Sequence, residues 1–196
     1  MAAVARSPWG HKACRYYQDE LIPRQTRDSL ITALFHGFDH PGHPHPGGDD
    51  PDRINIQIAI AGLRRYIMAA DRAFQPEIEA LIEATQYPNK IGSEKLDLLG
   101  RIIRDADLAQ ALSPAWIQQV IIGLAAEWGV HPIEVLRVQA LFLAGLSFHT
   151  RWARQLFPQE LIQAKIEEVE QLLRCLRQRQ PAQLAISVRL RQSRGH

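Results

Sequence analysis

Residues 28–42 read Asp28-Ser29-Leu30-Ile31-Thr32-Ala33-Leu34-Phe35-His36-Gly37-Phe38-Asp39-His40-Pro41-Gly42. Leu30, Ile31, Leu34, Phe35 and Phe38 recur at spacings of three and four, the period of a helix with one apolar face. Asp28 is placed to cap this helix, and Pro41-Gly42 to end it. The stretch from Pro41 to Asp52 holds four prolines, three glycines and three aspartates and reads as a loop. The flanking sequence repeats the pattern of cap, helix and stop, with no strand-like alternation until the last residues.

Asp50-Pro51 is an N-cap with proline at the first helical position. The helix it opens carries Ile54, Ile58, Leu63 and Ile67. Pro76 starts another, with Ile78, Leu81 and Ile82 on one face. Ser93 is placed to cap a third, through Leu96, Leu99, Ile103 and Ala106. Ser113-Pro114 opens Trp116 to Trp128, and Gly129 closes it. Pro132 opens a helix to Leu146, and Thr150 to Phe157 continues it or forms a short one. Pro158 begins the last long helix, with Leu161, Ile166, Val169, Leu172 and Leu173 inside. No repeat and no linker between two cores is found. The expectation is an all-α, single-domain helical bundle over residues 1–180, followed by a basic tail at 181–196 that is frayed or a short strand.

Composition narrows the class. Apolar residues at 46% and charged residues at 22% suit a chain that folds around a core. Two cysteines, Cys14 and Cys175, exclude a disulfide framework, read as buried thiols, and fit a reducing cytoplasm. No apolar run approaches the ~20 residues of a membrane span, and Met1 to Trp9 lack the apolar stretch of a secretory signal. A net charge of +2 argues against nucleic acid as main partner.

Of eight histidines, His36, His40, His43 and His45 lie within ten residues. Imidazole and carboxylate hold divalent metals and steer activated water. On a helix His36 and His40, at i and i+4, would share a face, with Asp39 turned aside to orient a neighbour. The plainer alternative is a helix-end histidine pair bonded to backbone. A second polar group lies in Ile103-Arg104-Asp105-Ala106-Asp107-Leu108. Aspartates within an apolar helix need a partner, since burying a bare carboxylate is costly. Arg101 and Arg104 offer Asp105 a surface partner, which leaves Asp107 for a site. The loop His43-Pro44-His45-Pro46-Gly47-Gly48 reads as a solvated connection. His131 and His149 read as structural, and Trp116, Trp128, Trp152 and Phe157 as core.

The pairing of an apolar-His-x-x-Asp-His-Pro-Gly segment with a later Ala-Asp-Leu helix resembles the HD-domain superfamily of metal-dependent phosphohydrolases. The run Asp39-His40-Pro41-Gly42 is most similar to its cyclic-nucleotide phosphodiesterase branch. Asn55-Ile56-Gln57-Ile58-Ala59 is similar to that branch's Asn-x-Glu-x-Ala helix, with Gln57 in place of the acid. The resemblance covers about residues 9 to 112.

It implies an HD-type fold, with His36 and Asp107 as metal ligands and His11 as the upstream histidine ligand. It implies His40 as the histidine acting on water or the leaving oxygen, Asp39 in support, and Asn55 in substrate binding. It implies a divalent metal (Mn, Mg, Fe, Zn or Ni) and a small-molecule phosphoester substrate of nucleotide type, hydrolysed by metal-activated water. One position departs: the family places an aspartate after the first histidine, and this chain has Gly37. The alternatives are an HD-fold protein that binds nucleotide or metal without turnover, and a purely structural helical protein. Oligomeric state is not legible.

Overall fold

Proline and cap chemistry set most helix starts in this chain. The computed structural model describes residues 8–39 and 52–192, with side chains placed for 9–39 and 52–177. Among the described residues the architecture is all α, with no strand. In order come α1 (Pro8–Tyr16), α2 (Pro23–Phe35), α3 (Arg53–Tyr66), α4 (Gln75–Ala84) and α5 (Leu98–Leu108). A π-helical turn, Ile117–Ile122, runs into α6 (Gly123–Trp128). The bundle closes with α7 (Pro132–Ala144), α8 (Arg151–Leu156) and α9 (Gln159–Gln192). The helical runs before and after Ser113-Pro114 meet at 96°. No single described helix is long and apolar enough to cross a membrane.

Several boundaries differ from the sequence reading, each for a local reason. Helix α2 starts at Pro23, with Gln25 Oε1 accepting from the Ile22 N–H at 3.1 Å. Asp28 therefore lies inside it, buried and ion-paired with Arg24 at 2.5 Å, rather than capping it. The same helix ends at Phe35, because Gly37 weakens helix and Asp39 adopts φ 51°, a left-handed conformation that aspartate tolerates. His36 thus sits at the C-cap, and the helical face imagined for His36 and His40 does not form through residues 36–39. His40, His43, His45 and the Asp50-Pro51 cap lie outside the described residues.

In α3 the buried face is Ile56, Ala59, Ile60, Leu63 and Ile67, with Ile54 and Ile58 at its margin. Asp97, not Ser93, caps α5, accepting from the Gly100 N–H at 2.7 Å. In α9, Ile162 is buried and Leu161 exposed. The backbone of α9 stays helical through Pro181 to Gln192, where a frayed tail or strand was expected. Cys175 is exposed, so only Cys14 is a buried thiol.

The core has two parts. A larger cluster joins α1, α5, α7, α8 and α9 around Trp116, Trp152 and Phe157. A smaller one gathers the buried face of α3 and Ile78 and Ile82 of α4, with Ile31 and Phe35 of α2 against it. Helix α4 links them, because Leu81 belongs to the larger cluster while its neighbour Ile82 belongs to the smaller.

Asp105 ties α5 to the C-terminal helices. Its side chain is fully buried, and it has no surface role with Arg101 or Arg104. Its carboxylate accepts from the His149 N–H (3.0 and 3.1 Å), the Thr150 N–H (2.6 Å) and the Thr150 hydroxyl (2.7 Å). The hydroxyl in turn accepts from Ala153 N–H at 3.2 Å, capping α8. Burial pushes the Asp105 carboxyl above its usual range, against the pull of these donors. Arg104 is also buried, its Nε donating to the Ala84 carbonyl at 2.8 Å.

Removing this carboxylate strands buried donors. Asp105→Ala is expected to cost about 2–4 kcal/mol in urea unfolding. A loss below about 0.5 kcal/mol, the level of an ordinary surface change, would contradict the tie.

Candidate functional site

The site is built where the end of α2 meets the end of α5. Turn 36–39 is held by Phe38, whose ring lies 5.6 Å from those of Phe35 and Tyr66. Phe38 fits only because position 62 is glycine. A Cβ there would collide with the Phe38 ring at Cδ1. This packing presents His36 to α5.

The His36 Nδ1 faces the Ala33 carbonyl at 3.2 Å, and its Nε2 lies 3.3 Å from Asp107 Oδ1. Asp105 and Asp107 stand two positions apart with Ala106 between them, a turn of about 200° on a helix, so they leave α5 on opposite sides. One is wholly inside. The other keeps a side chain 30% exposed beside an imidazole that is 14% exposed. Nδ1 is in hydrogen-bond range of a carbonyl, while Nε2 stands at ion-pair distance from Asp107 without an aligned hydrogen bond among the described residues; acceptors on both sides favour the protonated ring. Burial works against the charge, but Asp107 and the Ala33 and Thr32 carbonyls outweigh it, so the His36 pKa is raised.

Asn55, in the first turn of α3, is 8% exposed. Its Nδ2 donates to Asp52 Oδ1 at 3.0 Å, and Asp52 Oδ2 accepts from the Tyr87 N–H at 2.9 Å. The Asn55 Oδ1 is buried without a hydrogen-bond partner among the described residues. Asp52, Asn55 and Asp107 all line one cavity of about 620 Å³, between α3, α5, the π-helical turn and α7. Its apolar walls include Val120, Leu124, Val135 and Leu141, with the rings of Trp128 and Phe142.

The other residues singled out in the sequence stand apart. His11 is exposed on α1. Asp39 is exposed in its turn, and no hydrogen bond or ion pair joins it to His36 or Asp107. Among the described residues, no three His, Cys, Asp or Glu side chains come together as a metal site. The spacing of His36 Nε2 and Asp107 Oδ1 matches one edge of a tetrahedron with bonds of ~2.1 Å. Two donors on one edge are too few to hold an ion firmly, and Gly37 supplies no third. The described residues therefore do not fit a complete metal centre.

The sequence reading missed the cavity's far wall, which comes from the π-helical turn, α6 and α7. One hint was present there: Gln119 and Gln139, polar positions in apolar runs, both line the cavity. Comparison with protein-family models, curated proteins and solved structures finds no match.

The raised His36 pKa has a sign that can be checked. A histidine raised by folding adds stability in full below its unfolded value, near 6.5, and loses it as pH rises through the folded pKa. The stability difference between the native chain and His36→Gln, measured by urea unfolding, should be largest near pH 5.5 and shrink toward pH 9. A difference that grows with pH would contradict the charged pair.

Proposed function

We propose that this chain is a small-molecule-binding helical protein of HD type, with little or no phosphoester turnover. The observation that carries the reading is the 620 Å³ cavity with Asp107 and Asn55 on its wall and His36 in contact with Asp107. Its size is that of pockets for small organic ligands. Gly37 is what sets turnover aside. In the family this chain resembles, a carboxylate at that position holds metal, and glycine offers none. The raised pKa of His36 acts in the same direction, since a ligating nitrogen must give up its proton.

A second reading is a working metal-dependent phosphohydrolase on a nucleotide-like phosphoester, with His40 assisting. The His36–Asp107 contact favours it, since two donors far apart in sequence stand at ligand spacing. In that case the bound metal would supply an activated water.

One substitution separates the two. A Cβ at Gly37 meets nothing within 4 Å, so Gly37→Asp is accommodated. The native chain is expected to show no Mn-, Zn- or Mg-dependent hydrolysis of bis(p-nitrophenyl) phosphate above background. Gly37→Asp is expected to bind Mn at least tenfold more tightly. Metal-dependent hydrolysis by the native chain would overturn the binding reading in favour of the second.

A further inference from the structure

We infer that the cavity takes a small organic cation, a protonated amine on an apolar body, rather than a phosphate or carboxylate. This rests on the reading of the cavity as a binding pocket. Three independent features point the same way.

The first is charge. Asp52 and Asp107 line the cavity, and among the described residues no lysine or arginine does. His36 contacts Asp107 but does not itself line the space. An anion entering here meets carboxylates in a region of reduced dielectric, with no lining cation to answer it.

The second is the hydrogen-bonding sense of Asn55. The orientation of a side-chain amide is often ambiguous, but here it is not. Asp52 is acceptor-only when ionised, so the atom 3.0 Å from it is the Asn55 amide nitrogen. The oxygen is then the atom left buried and, among the described residues, unpaired. A buried acceptor without a partner costs free energy, and a ligand N–H relieves it. An ammonium brings three donors and no acceptor. It can serve Asp107 directly and the enclosed Asn55 Oδ1 after a small shift of that side chain, while Asp52, with both oxygens already engaged, contributes charge.

The third is the wall. Leu124, Val135 and Leu141 suit an apolar body, and Trp128 and Phe142 bring aromatic rings, the side chains that attract cations, to the same wall. The π-helical turn on the same wall is a rare geometry, often found beside binding sites.

The test uses the full chain and four probes sharing one body: 4-phenylbutylammonium, 4-phenylbutanol, 4-phenylbutyrate and 4-phenylbutyl phosphate. Affinities are read by calorimetry at pH 7. The ammonium is expected to bind at least tenfold more tightly than the alcohol, and the two anions more weakly than either. Asn55→Leu should reduce ammonium binding at least fivefold. Because Asn55 is buried and its loss could perturb folding, Asp107→Asn at the part-exposed position serves as a second variant. It should weaken the ammonium and leave the alcohol unchanged. An anion that binds as tightly as the ammonium, or an alcohol that equals it, would overturn the inference and leave the pocket reading standing. Failure of all four to bind at millimolar concentration would overturn both.

Discussion

Helix α5 carries two carboxylates that serve opposite sides of the helix, one toward α8 and one toward the end of α2, and the inner one is the constraint on which the rest hangs. Asp105 is fully buried, and among the described residues no side-chain cation is bonded to it. Its charge is met by two backbone N–H groups and one hydroxyl at the start of α8. Such a carboxylate fixes distance and rotation together, since each donor has to reach it along its own direction. With α5 fixed in rotation about its axis, Asp107 has to leave from the other side, where α2 ends. The site is therefore a consequence of how the core is tied.

The electrostatics of the site derive from its ligand set. A metal centre needs several donors that surrender their protons. Here glycine occupies the position of the expected carboxylate, and the remaining two donors face each other. The first turn of α3 and the π-helical turn, α6 and α7 border a cavity that carries Asp52 and Asp107 and whose wall is apolar and aromatic. Chemistry there depends on what enters the cavity.

Much of this was legible in the sequence, and the rest was hidden for identifiable reasons. Pro132, Ser113-Pro114 and Thr150 mark real boundaries, and Gly129 is the left-handed cap its position suggests. Ile78, Leu81 and Ile82 are all buried as their spacing predicts. The juxtaposition of His36 with Asp107 was expected from the resemblance to HD-type proteins, and the two side chains do meet. The meaning of Asp105 was not legible. Arg101 and Arg104 supplied a plausible local partner, while the true donors lie 44 and 45 residues later and are mostly backbone. Backbone donors leave no trace in residue identity. The end of α2 was misplaced because Gly37 was weighed as a missing ligand and not also as a helix terminator. The cavity was invisible because its wall joins residues from helices far apart in sequence, and periodicity gives each helix a face but not a neighbour.

The central claim is that His36 and Asp107 form a charged pair at the edge of this cavity. Its most direct test is the ¹⁵N NMR spectrum of the His36 ring, titrated in the native chain and in Asp107→Asn. The account predicts a ring that titrates above the ordinary histidine range, with a return toward that range in the variant. A His36 ring that titrates at or below the ordinary value, unmoved by Asp107→Asn, would contradict it.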